Sequence, residues 1–441
     1  MHTLNQLRSG ELQGLQRLQL RCGLTDFPRE IFELADSLEI LDLSGNQLNA
    51  LPEDLPRLHQ LRVIFCSDNL FTELPEVLGQ CQQLRMVGFK ANRIAQASPK
   101  ALPPLLRWLI LTDNALTALP AEIGQCAQLQ KLMLAGNQLS ALPPELANCA
   151  GLELLRVSAN QLTEFPEWLL QLPRLTWLAF AGNPFTQALE TQALANTPTP
   201  SIAWSRLQLQ HQLGEGASGV IHQAVLRTGE DDQAVAVKLF KGTVTSDGLP
   251  DCEMAACMHA GVHPHLVSAM GRVTDHPQDT QALVMPLIAP EFGNLAGPPS
   301  LETCTRDVYA PRQRFGWPIA LRMARGIASV TQHLHARGIM HGDLYAHNIL
   351  HTLEGAALLS DFGAAAFFDV TNTARAQSLE KLEVRALGCL LEELALQCDA
   401  TPSHLTHHQA LVRLALLCLC DVPAKRPSLA EVCAKLEQLA V

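Results

Sequence analysis

Three polar side chains in the second half of the sequence could bind a metal ion and accept a proton. Asp343 follows His341 and Gly342, Asn348 lies five residues after Asp343, and Asp361 begins an Asp-Phe-Gly triplet thirteen residues later. A carboxylate at Asp343 can accept the proton of a hydroxyl group, while Asn348 and Asp361 offer oxygen atoms, the ligands that Mg²⁺ prefers. This spacing favours the chemistry of phosphoryl transfer.

A glycine-rich stretch precedes these residues and suits the binding of phosphate groups. It resembles the pattern G-x-G-x-x-G-x-V and consists of Gly214, Glu215, Gly216, Ala217, Ser218, Gly219 and Val220. Glycine allows the backbone to approach phosphate oxygens closely, with N–H groups as donors. Dinucleotide-binding folds use nearly the same glycines, but here alternating apolar residues flank the stretch as in a β-hairpin, and no helical pattern follows at once.

A lysine and a glutamate lie between the glycines and the acidic residues. Lys238 closes the strand-like run Val-Ala-Val-Lys, so that it could reach phosphates from beneath the glycines. Glu253 lies in a helical stretch that ends at the segment His-Pro-His-Leu-Val, residues 263–267, and its carboxylate could hold the Lys238 ammonium as an ion pair. Asp251 is the alternative partner, although Glu253 has the more usual spacing to that segment.

In their order and spacing these motifs resemble the protein kinase family, over residues of about 207–441. The resemblance implies an α+β fold of two lobes, an N-lobe at about 207–286 and a C-lobe at about 287–441, with ATP held between them. It implies that the glycines cover the phosphates and that Lys238, positioned by Glu253, contacts them. It also implies that Asp343 is the catalytic carboxylate and that Asn348 and Asp361 bind Mg²⁺.

The resemblance extends to the adenine pocket and to the packing around it. Met285 is similar to the residue that guards the pocket, and Leu287 lies in the hinge 286–288. Ala236 is also expected at the cofactor. Phe362 is expected to pack beneath the helix that carries Glu253.

The sequence departs from the kinase pattern at three places. Gly342 replaces the arginine of H-R-D, so control through a phosphorylated loop that pairs with that arginine is not expected. Tyr345 stands where serine/threonine kinases have lysine, which leaves the acceptor open. No A-P-E follows Asp361, and Glu383, which resembles the start of the large buried helix, comes only 22 residues later. The region that would dock a peptide substrate is therefore shortened.

The first half of the sequence repeats with a period of 22 or 23 residues. The pattern L-x-x-L-x-L-x-x-N, with other apolar residues at some leucine positions, ends at Asn46, Asn69, Asn92, Asn114, Asn137, Asn160 and Asn183. It resembles the leucine-rich repeat family, with an earlier unit near the N-terminus that has Gly23 in place of the asparagine. Stacked units close a continuous core, and each asparagine can bond backbone groups left unpaired where the chain turns away.

The strand residues between the leucines are expected on the concave face of an α/β repeat solenoid. Aromatic, methionine and arginine side chains on such a face are typical of a protein-binding surface. The side chains proposed for contact with a protein substrate or regulator are Arg62, Phe65, Arg85, Arg107, Trp108, Met133, Arg156 and Trp177. The alternative is that this face merely tolerates such residues.

These patterns predict three parts: about eight repeats at 1–186, a linker or cap at 187–206, and a kinase domain at 207–441. Of the 441 residues 47% are apolar, which argues against disorder, and the net charge of −11 leaves no basic surface for nucleic acid. The thirteen cysteines include no C-x-x-C pair and are predicted to be reduced. The N-terminus does not resemble a signal peptide, and no apolar run approaches the roughly 20 residues of a membrane span, so a cytoplasmic location is expected.

Three functional hypotheses follow. The first is an active kinase, preferably directed to serine and threonine, whose repeats recruit a substrate or regulator. The second is a scaffold whose lobes bind nucleotide without transferring phosphate. The third makes the repeats the whole function and the kinase region a regulatory switch.

Overall fold

The computed structural model describes residues 2–197, 200–216, 218–229, 231–242, 244–245, 247–399 and 401–439. The chain divides into two compact units. The first comprises Met1–Arg174 and Asn183–Phe185, and the second comprises Leu175–Gly182 and Thr186–Val441. The short Leu175–Gly182 segment, which the repeat pattern assigns to the last repeat, is thus part of the second unit.

The first unit is built from short parallel strands, one for each repeat. The strands are Arg17–Gln19, Ile40–Asp42, Val63–Phe65, Met86–Gly88, Trp108–Ile110, Lys131–Met133 and Leu154–Arg156. Each strand pairs in register with the next, so that Leu41, Ile64 and Val87 align across three strands. All three side chains are fully or almost fully buried. A single repeat could not bury them, and the core therefore depends on stacking.

The return path of each repeat is a short 3₁₀ helix. These helices are Arg29–Leu34, Leu55–Arg57, Glu76–Gln80, Pro99–Ala101, Ala121–Gln125, Pro144–Asn148 and Glu167–Gln171. A short α-helix, Leu4–Arg8, precedes the first strand, and the strands Glu73–Leu74 and Gln96–Ala97 form a small separate pair.

The repeat asparagines connect neighbouring repeats through the backbone. Asn137 is typical: its Oδ1 accepts from the Leu116 N–H at 3.0 Å, and its Nδ2 donates to the carbonyls of Leu111 at 2.8 Å and Leu134 at 2.9 Å. Leu111 and Leu116 belong to the preceding repeat. The expected role of the asparagine is therefore confirmed.

The Leu175–Gly182 segment of the second unit contains the strand Trp177–Ala179. The rest of this unit begins with the helix Gln187–Asn196, which is followed by a six-stranded sheet. The order across the sheet is Ser201–Ala203, Gly271–Thr274, Ala282–Pro286, Gln233–Phe240, Gly219–Leu226 and Leu207–Glu215. The outermost strand, Ser201–Ala203, pairs parallel to Gly271–Thr274, and the other pairings are antiparallel. The stretch predicted as linker or cap thus supplies a strand and a 3₁₀ turn, Trp204–Arg206, to this unit.

One helix, Pro250–Ala260, accompanies this sheet. Pro250 occupies its first turn, where a missing N–H is tolerated. Gly261 ends the helix with a φ of 68°, a conformation that glycine adopts without steric conflict. Glu253 lies in the first turn and is buried.

The remaining part of the second unit is mostly helical. Its α-helices are Trp317–His335, Thr373–Leu396, Leu405–Cys418 and Leu429–Gln438, joined by 3₁₀ turns at Ala346–Asn348, Pro402–His404 and Pro423–Lys425. The short strands Gly293–Asn294, Ile349–His351 and Ala357–Leu359 form one small sheet, and Phe315–Gly316 pairs with Cys398–Asp399. This mixture of a sheet and a helical region is the two-lobed arrangement that the sequence predicts.

The segment after Asp361 is short and well packed. The strand Ala366–Phe367 pairs with Ile339–Met340, and the helix Thr373–Leu396 starts six residues later. Within the described residues, no helix is both long enough and apolar enough to cross a membrane.

Candidate active site

The ion pair at the centre of the second unit joins Lys238 to Glu253. The Lys238 Nζ contacts Glu253 Oε1 and lies 3.5 Å from Asp361 Oδ1. Both members of the pair are buried, with 8% and 5% of their side-chain surfaces exposed. Asp251, the alternative partner, instead accepts from Gln281 Nε2 at 2.9 Å and is exposed.

Burial and charge set the protonation of this pair. Burial would lower the pKa of Lys238, but the carboxylates of Asp361 and Glu253 outweigh it and raise that pKa above its ordinary value. Burial raises the pKa of Glu253 to about 7, although Lys238 acts against this rise. Burial alone would also raise the pKa of Asp361, but the Lys238 charge lowers it overall. The lysine therefore carries its charge at neutral pH.

The Asp343 loop, residues 341–348, holds the carboxylate and the amide close together. Asn348 Nδ2 donates to Asp343 Oδ2 at 2.8 Å and to the Asp343 carbonyl at 3.0 Å. Because the amide nitrogen is used in these bonds, the Asn348 Oδ1 is the atom left to face a cation. His341, fully buried, contacts the Ser360 carbonyl through Nε2 at 3.1 Å, which connects this loop to the strand end before Asp361.

Glu383 supports the same loop from the helix Thr373–Leu396. Its Oε1 accepts from the Gly342 N–H at 2.7 Å, and its Oε2 lies 2.5 Å from His335 Nε2. Only 1% of Glu383 is exposed. Burial would raise its pKa, but His335 lowers it overall, so that the carboxylate is charged when it binds the loop.

The glycine stretch forms a turn between two antiparallel strands, Leu207–Glu215 and Gly219–Leu226. Gly216 N–H donates to the Gly219 carbonyl at 2.9 Å. A Cβ at Gly219 would lie 2.5 Å from the Leu239 carbonyl oxygen, so a side chain does not fit there. Glu215 pairs with Lys241, and Ser218 is buried. Ala217 lies outside the described residues.

A cavity of about 470 Å³ joins most of these groups. Among the residues predicted from the sequence, its walls include Ala236, Lys238, Glu253, Met285, Leu287, Asn348, Asp361 and Phe362. Residues of the glycine stretch 214–220 are not among its described walls, and neither is Asp343. The predicted adenine-pocket residues and the predicted magnesium ligands therefore line one common space.

The strand register places Ile221, rather than Val220, at the cavity. Ile221 lies opposite Lys238 in the antiparallel pair, while Val220 lies opposite Leu239. Opposite residues in a sheet point to the same face, and neighbours along a strand point to opposite faces. A full count of G-x-G-x-x-G-x-V from Gly214 also ends at residue 221, so the pattern itself contained this information.

His347 is a cavity residue that the motif analysis did not single out. Its Nδ1 lies 2.7 Å from Asp307 Oδ1, and its N–H donates to Asp307 Oδ2 at 2.9 Å. Burial would lower the pKa of His347, but Asp307 raises it overall. The sequence offered little signal that His347 would pair with Asp307 at the cavity, because Asp307 belongs to no recognisable motif.

The walls of the cavity suit a magnesium–nucleotide complex. Asp361 and Asn348 present a carboxylate and an amide oxygen at one end, beside the Lys238 ammonium. Glu253 Oε2 is buried without a hydrogen-bond partner in the described structure, which marks a polar end to the cavity. Other walls are apolar and include Leu213, Ile221 and Leu350. Apolar walls with a few convergent charges are typical of a nucleotide pocket.

The predicted concave-face residues differ in their exposure. Arg62 and Arg85 are exposed, and Phe65, Arg107, Trp108 and Met133 are half-buried. The prediction of an exposed side chain is wrong for Arg156 and Trp177, which are each only 2% exposed. Trp177 is buried because its indole ring stacks on Tyr345, and both residues belong to the second unit.

Comparisons with known proteins agree with this description. The family model for "Protein tyrosine and serine/threonine kinase" matches residues 207–393. Models for "Leucine rich repeat" match residues 104–162 and 127–185, and a further one matches 37–58. The chain therefore combines leucine-rich repeats with a protein kinase domain, a fusion of two classes of module.

Similar proteins are found among receptor sequences. Fibroblast growth factor receptor 1 of Xenopus laevis is 28% identical over 198 residues, which are 42% of this chain and 24% of the receptor. The receptor of the same name from Pleurodeles waltl is 27% identical over the same shares. The aligned residues thus span about a quarter of the length of these relatives.

Proposed function

We propose that the protein is an active, ATP-dependent protein kinase that phosphorylates serine or threonine. The observation that carries this proposal is the arrangement of Lys238 between Glu253 and Asp361, with Asn348 on the same cavity. Phosphoryl transfer needs mostly positioning and neutralisation of charge, and these residues are suited to both.

Each residue has a role in this proposal. Lys238, fixed by Glu253, binds and orients phosphate oxygens of the nucleotide. Asn348 and Asp361 would hold Mg²⁺, which when bound neutralises phosphate charge. The Asp343 carboxylate, oriented by its hydrogen bond from Asn348, accepts the hydroxyl proton of the substrate. Met285 and Leu287 would contact the adenine base, and the glycine stretch 214–220 would cover the phosphates.

The choice of serine or threonine as acceptor is part of the proposal. Position 345 is a tyrosine where serine/threonine kinases typically have a lysine, and the matching family model covers both acceptor types. Neither fact selects the acceptor. The preference follows from the greater number of serine/threonine kinases in the family. A cytoplasmic location, where Mg²⁺ and ATP are abundant, is part of the same proposal.

The first experiment compares the full chain with Asp343→Asn, using labelled ATP and Mg²⁺. Autophosphorylation and a generic protein substrate would be followed by phosphoamino-acid analysis. We expect label on serine or threonine in the wild type and a loss of at least about 1,000-fold in the variant, because proton acceptance and charge are removed together. Asp275→Asn is the matched control, since Asp275 is exposed and its φ of 61° suits asparagine.

A second candidate function is a nucleotide-binding scaffold that does not transfer phosphate. The short segment between Asp361 and the helix Thr373–Leu396 favours it, because the usual peptide-docking region is reduced. If ATP raises the melting temperature of this protein but no label is transferred, the scaffold is supported and the active kinase is excluded. Label on tyrosine would leave the kinase proposal intact and correct its acceptor.

The repeats are proposed to bind a protein substrate or regulator through the exposed part of the concave face. Arg62 and Arg85 are exposed cations on this face, in neighbouring repeats, and the half-buried Phe65 lies in the same repeat as Arg62. Arg62 forms an ion pair with Glu39 at 3.3 Å, a contact that a partner carboxylate could replace. A partner would first be captured on the immobilised full chain and then titrated against the wild type and Arg85→Glu. The charge reversal should weaken the complex without changing autophosphorylation.

A further inference from the structure

The Leu175–Gly182 segment contacts the Asp343 loop within the second unit. The Trp177 ring stacks on Tyr345 with centroids 4.1 Å apart and planes inclined by 10°. Its Nε1–H donates to the Leu344 carbonyl at 3.0 Å, over a separation of 167 positions in the sequence. One side chain thus holds the two residues that directly follow Asp343.

The backbone of the same segment approaches the residue before Asp343. Gly342 has a φ of 72°, and a Cβ placed there would lie 2.6 Å from the carbonyl oxygens of both Leu178 and Ala364. The arginine that kinases usually have at this position would not fit against Leu178. The neighbouring Thr176 hydroxyl accepts from Arg385 Nε at 3.2 Å, which ties the segment to the helix Thr373–Leu396.

The two departures from the kinase pattern in this loop therefore have one structural explanation. Gly342 leaves room for the backbone of the segment, and Tyr345 provides the flat surface on which Trp177 lies. The loop is held from its other side by Glu383, through the Gly342 N–H. Asp343 lies between the two positions at which the segment makes contact.

We propose that Trp177, in the Leu175–Gly182 segment of the second unit, is a positioning residue for phosphoryl transfer, which holds the Asp343 loop in its active geometry. Trp177 itself is not among the described walls of the cavity and does not contact the nucleotide pocket. Its effect should therefore fall on the rate of transfer rather than on the binding of ATP. This inference rests on the proposed kinase activity.

The test uses the full chain with Trp177→Leu, Trp177→Phe and Tyr345→Leu. Trp177→Leu should lower kcat at least about tenfold, the loss expected when one aromatic stack and one hydrogen bond no longer hold the loop. KM for ATP and the rise in melting temperature with ATP and Mg²⁺ should stay within about twofold of the wild type. Trp177→Phe keeps a ring on Tyr345 and should recover most of kcat.

Two comparisons separate positioning from a general loss of structure. Trp168→Leu is the matched control, since Trp168 is a half-buried tryptophan in the 3₁₀ helix Glu167–Gln171, and its kcat should equal that of the wild type. The double variant Trp177→Leu with Tyr345→Leu should lose clearly less of kcat than the product of the two single losses, because both single variants remove the same stack. Trp177→Leu also removes the hydrogen bond to Leu344, and Tyr345→Leu also removes a ring contact with His347.

Each other outcome overturns a specific statement. A wild-type or raised kcat in Trp177→Leu would refute the positioning role, and so would a fall in kcat that is matched by loss of the ATP-dependent rise in melting temperature. Absence of transfer by the wild type would refute the proposed function and this inference together. Normal transfer by the wild type with an unaffected Trp177→Leu would refute this inference alone.

Discussion

The buried pair of Lys238 and Glu253 allows an asymmetric prediction about stability. In Lys238→Met, the Glu253 carboxylate loses its cation while it stays buried, with Oε2 already unpaired. In Glu253→Gln, Lys238 keeps Asp361 at 3.5 Å and can bond the new amide. Removal of one member of a buried pair typically costs about 3–5 kcal/mol, whereas loss of one charged hydrogen bond costs about 1–3 kcal/mol. Lys238→Met should therefore destabilise the second unit more than Glu253→Gln does.

The double variant and the pH dependence sharpen this prediction. The double variant, Lys238→Met with Glu253→Gln, has no unpaired carboxylate buried at position 253, so it should be more stable than Lys238→Met alone. The coupling free energy between the two substitutions should be about 1–3 kcal/mol. In Lys238→Met the pKa of Glu253 should rise above its wild-type value of about 7. Between about pH 4.5 and pH 7 the folded wild type and the folded variant both hold this proton, so their stabilities fall in parallel as the pH rises. Above about pH 7 only the folded variant still holds it, and the destabilisation relative to the wild type then grows by up to about 1.4 kcal/mol per pH unit.

The assay is pulse proteolysis in urea, which reports the folded fraction of each unit when the fragments are identified by mass spectrometry. The repeats serve as an internal control, because neither substitution lies in the first unit. Equal costs for the two single variants, strict additivity in the double variant, or a cost for Lys238→Met that shrinks with rising pH would refute the reasoning.

Three further predictions concern a glycine, an asparagine and a histidine. Gly342→Ala places a side chain at positive φ in a 2.6 Å contact, so it should destabilise the second unit by about 2–4 kcal/mol in urea unfolding and reduce phosphoryl transfer. Asn137→Ala leaves three backbone groups unpaired and should destabilise the repeats by about 2–4 kcal/mol, whereas its exposed neighbour Gln138→Ala should have little effect in the same assay. Burial beside other imidazoles lowers the pKa of His263 to about 4, so the unfolded state binds a proton that the folded state does not between about pH 6.5 and 4. The wild-type melting temperature should therefore fall as the pH is lowered from about 6.5 to 4. His263→Gln should reduce the slope of melting temperature against pH, and an equal slope in both proteins would contradict the assignment.

The parts of the site that could be predicted are those set by short stretches of chain. Lys238, Asp343 and Asn348 stand in motifs whose residues lie within a few positions of each other, and the structure brings Lys238 and Asn348 to one cavity. The repeat asparagines are a similar case, since one repeat length fixes both the donor and the acceptors. Spacing along the sequence is enough to predict a contact when one strand, turn or repeat carries the residues that make it.

The parts that could not be predicted depend on packing between distant stretches. Trp177 has the same place in its strand as Trp108, yet one is buried against Tyr345 and the other is half-buried. Repeat periodicity defines the face of a residue but not what lies against it. His347 likewise gains its role from Asp307, which stands 40 positions earlier outside any motif.

The short segment after Asp361 has a consequence for regulation. Many kinases are switched by a loop that is ordered only after phosphorylation, which requires the disordered state to be close in free energy. Here Phe362, Phe367 and Phe368 are each 7% exposed or less, and the strand Ala366–Phe367 is paired. Exposing three phenylalanine side chains would cost roughly 5–9 kcal/mol. This cost opposes a disordered state of the segment, so an order–disorder switch driven by phosphorylation is not expected here.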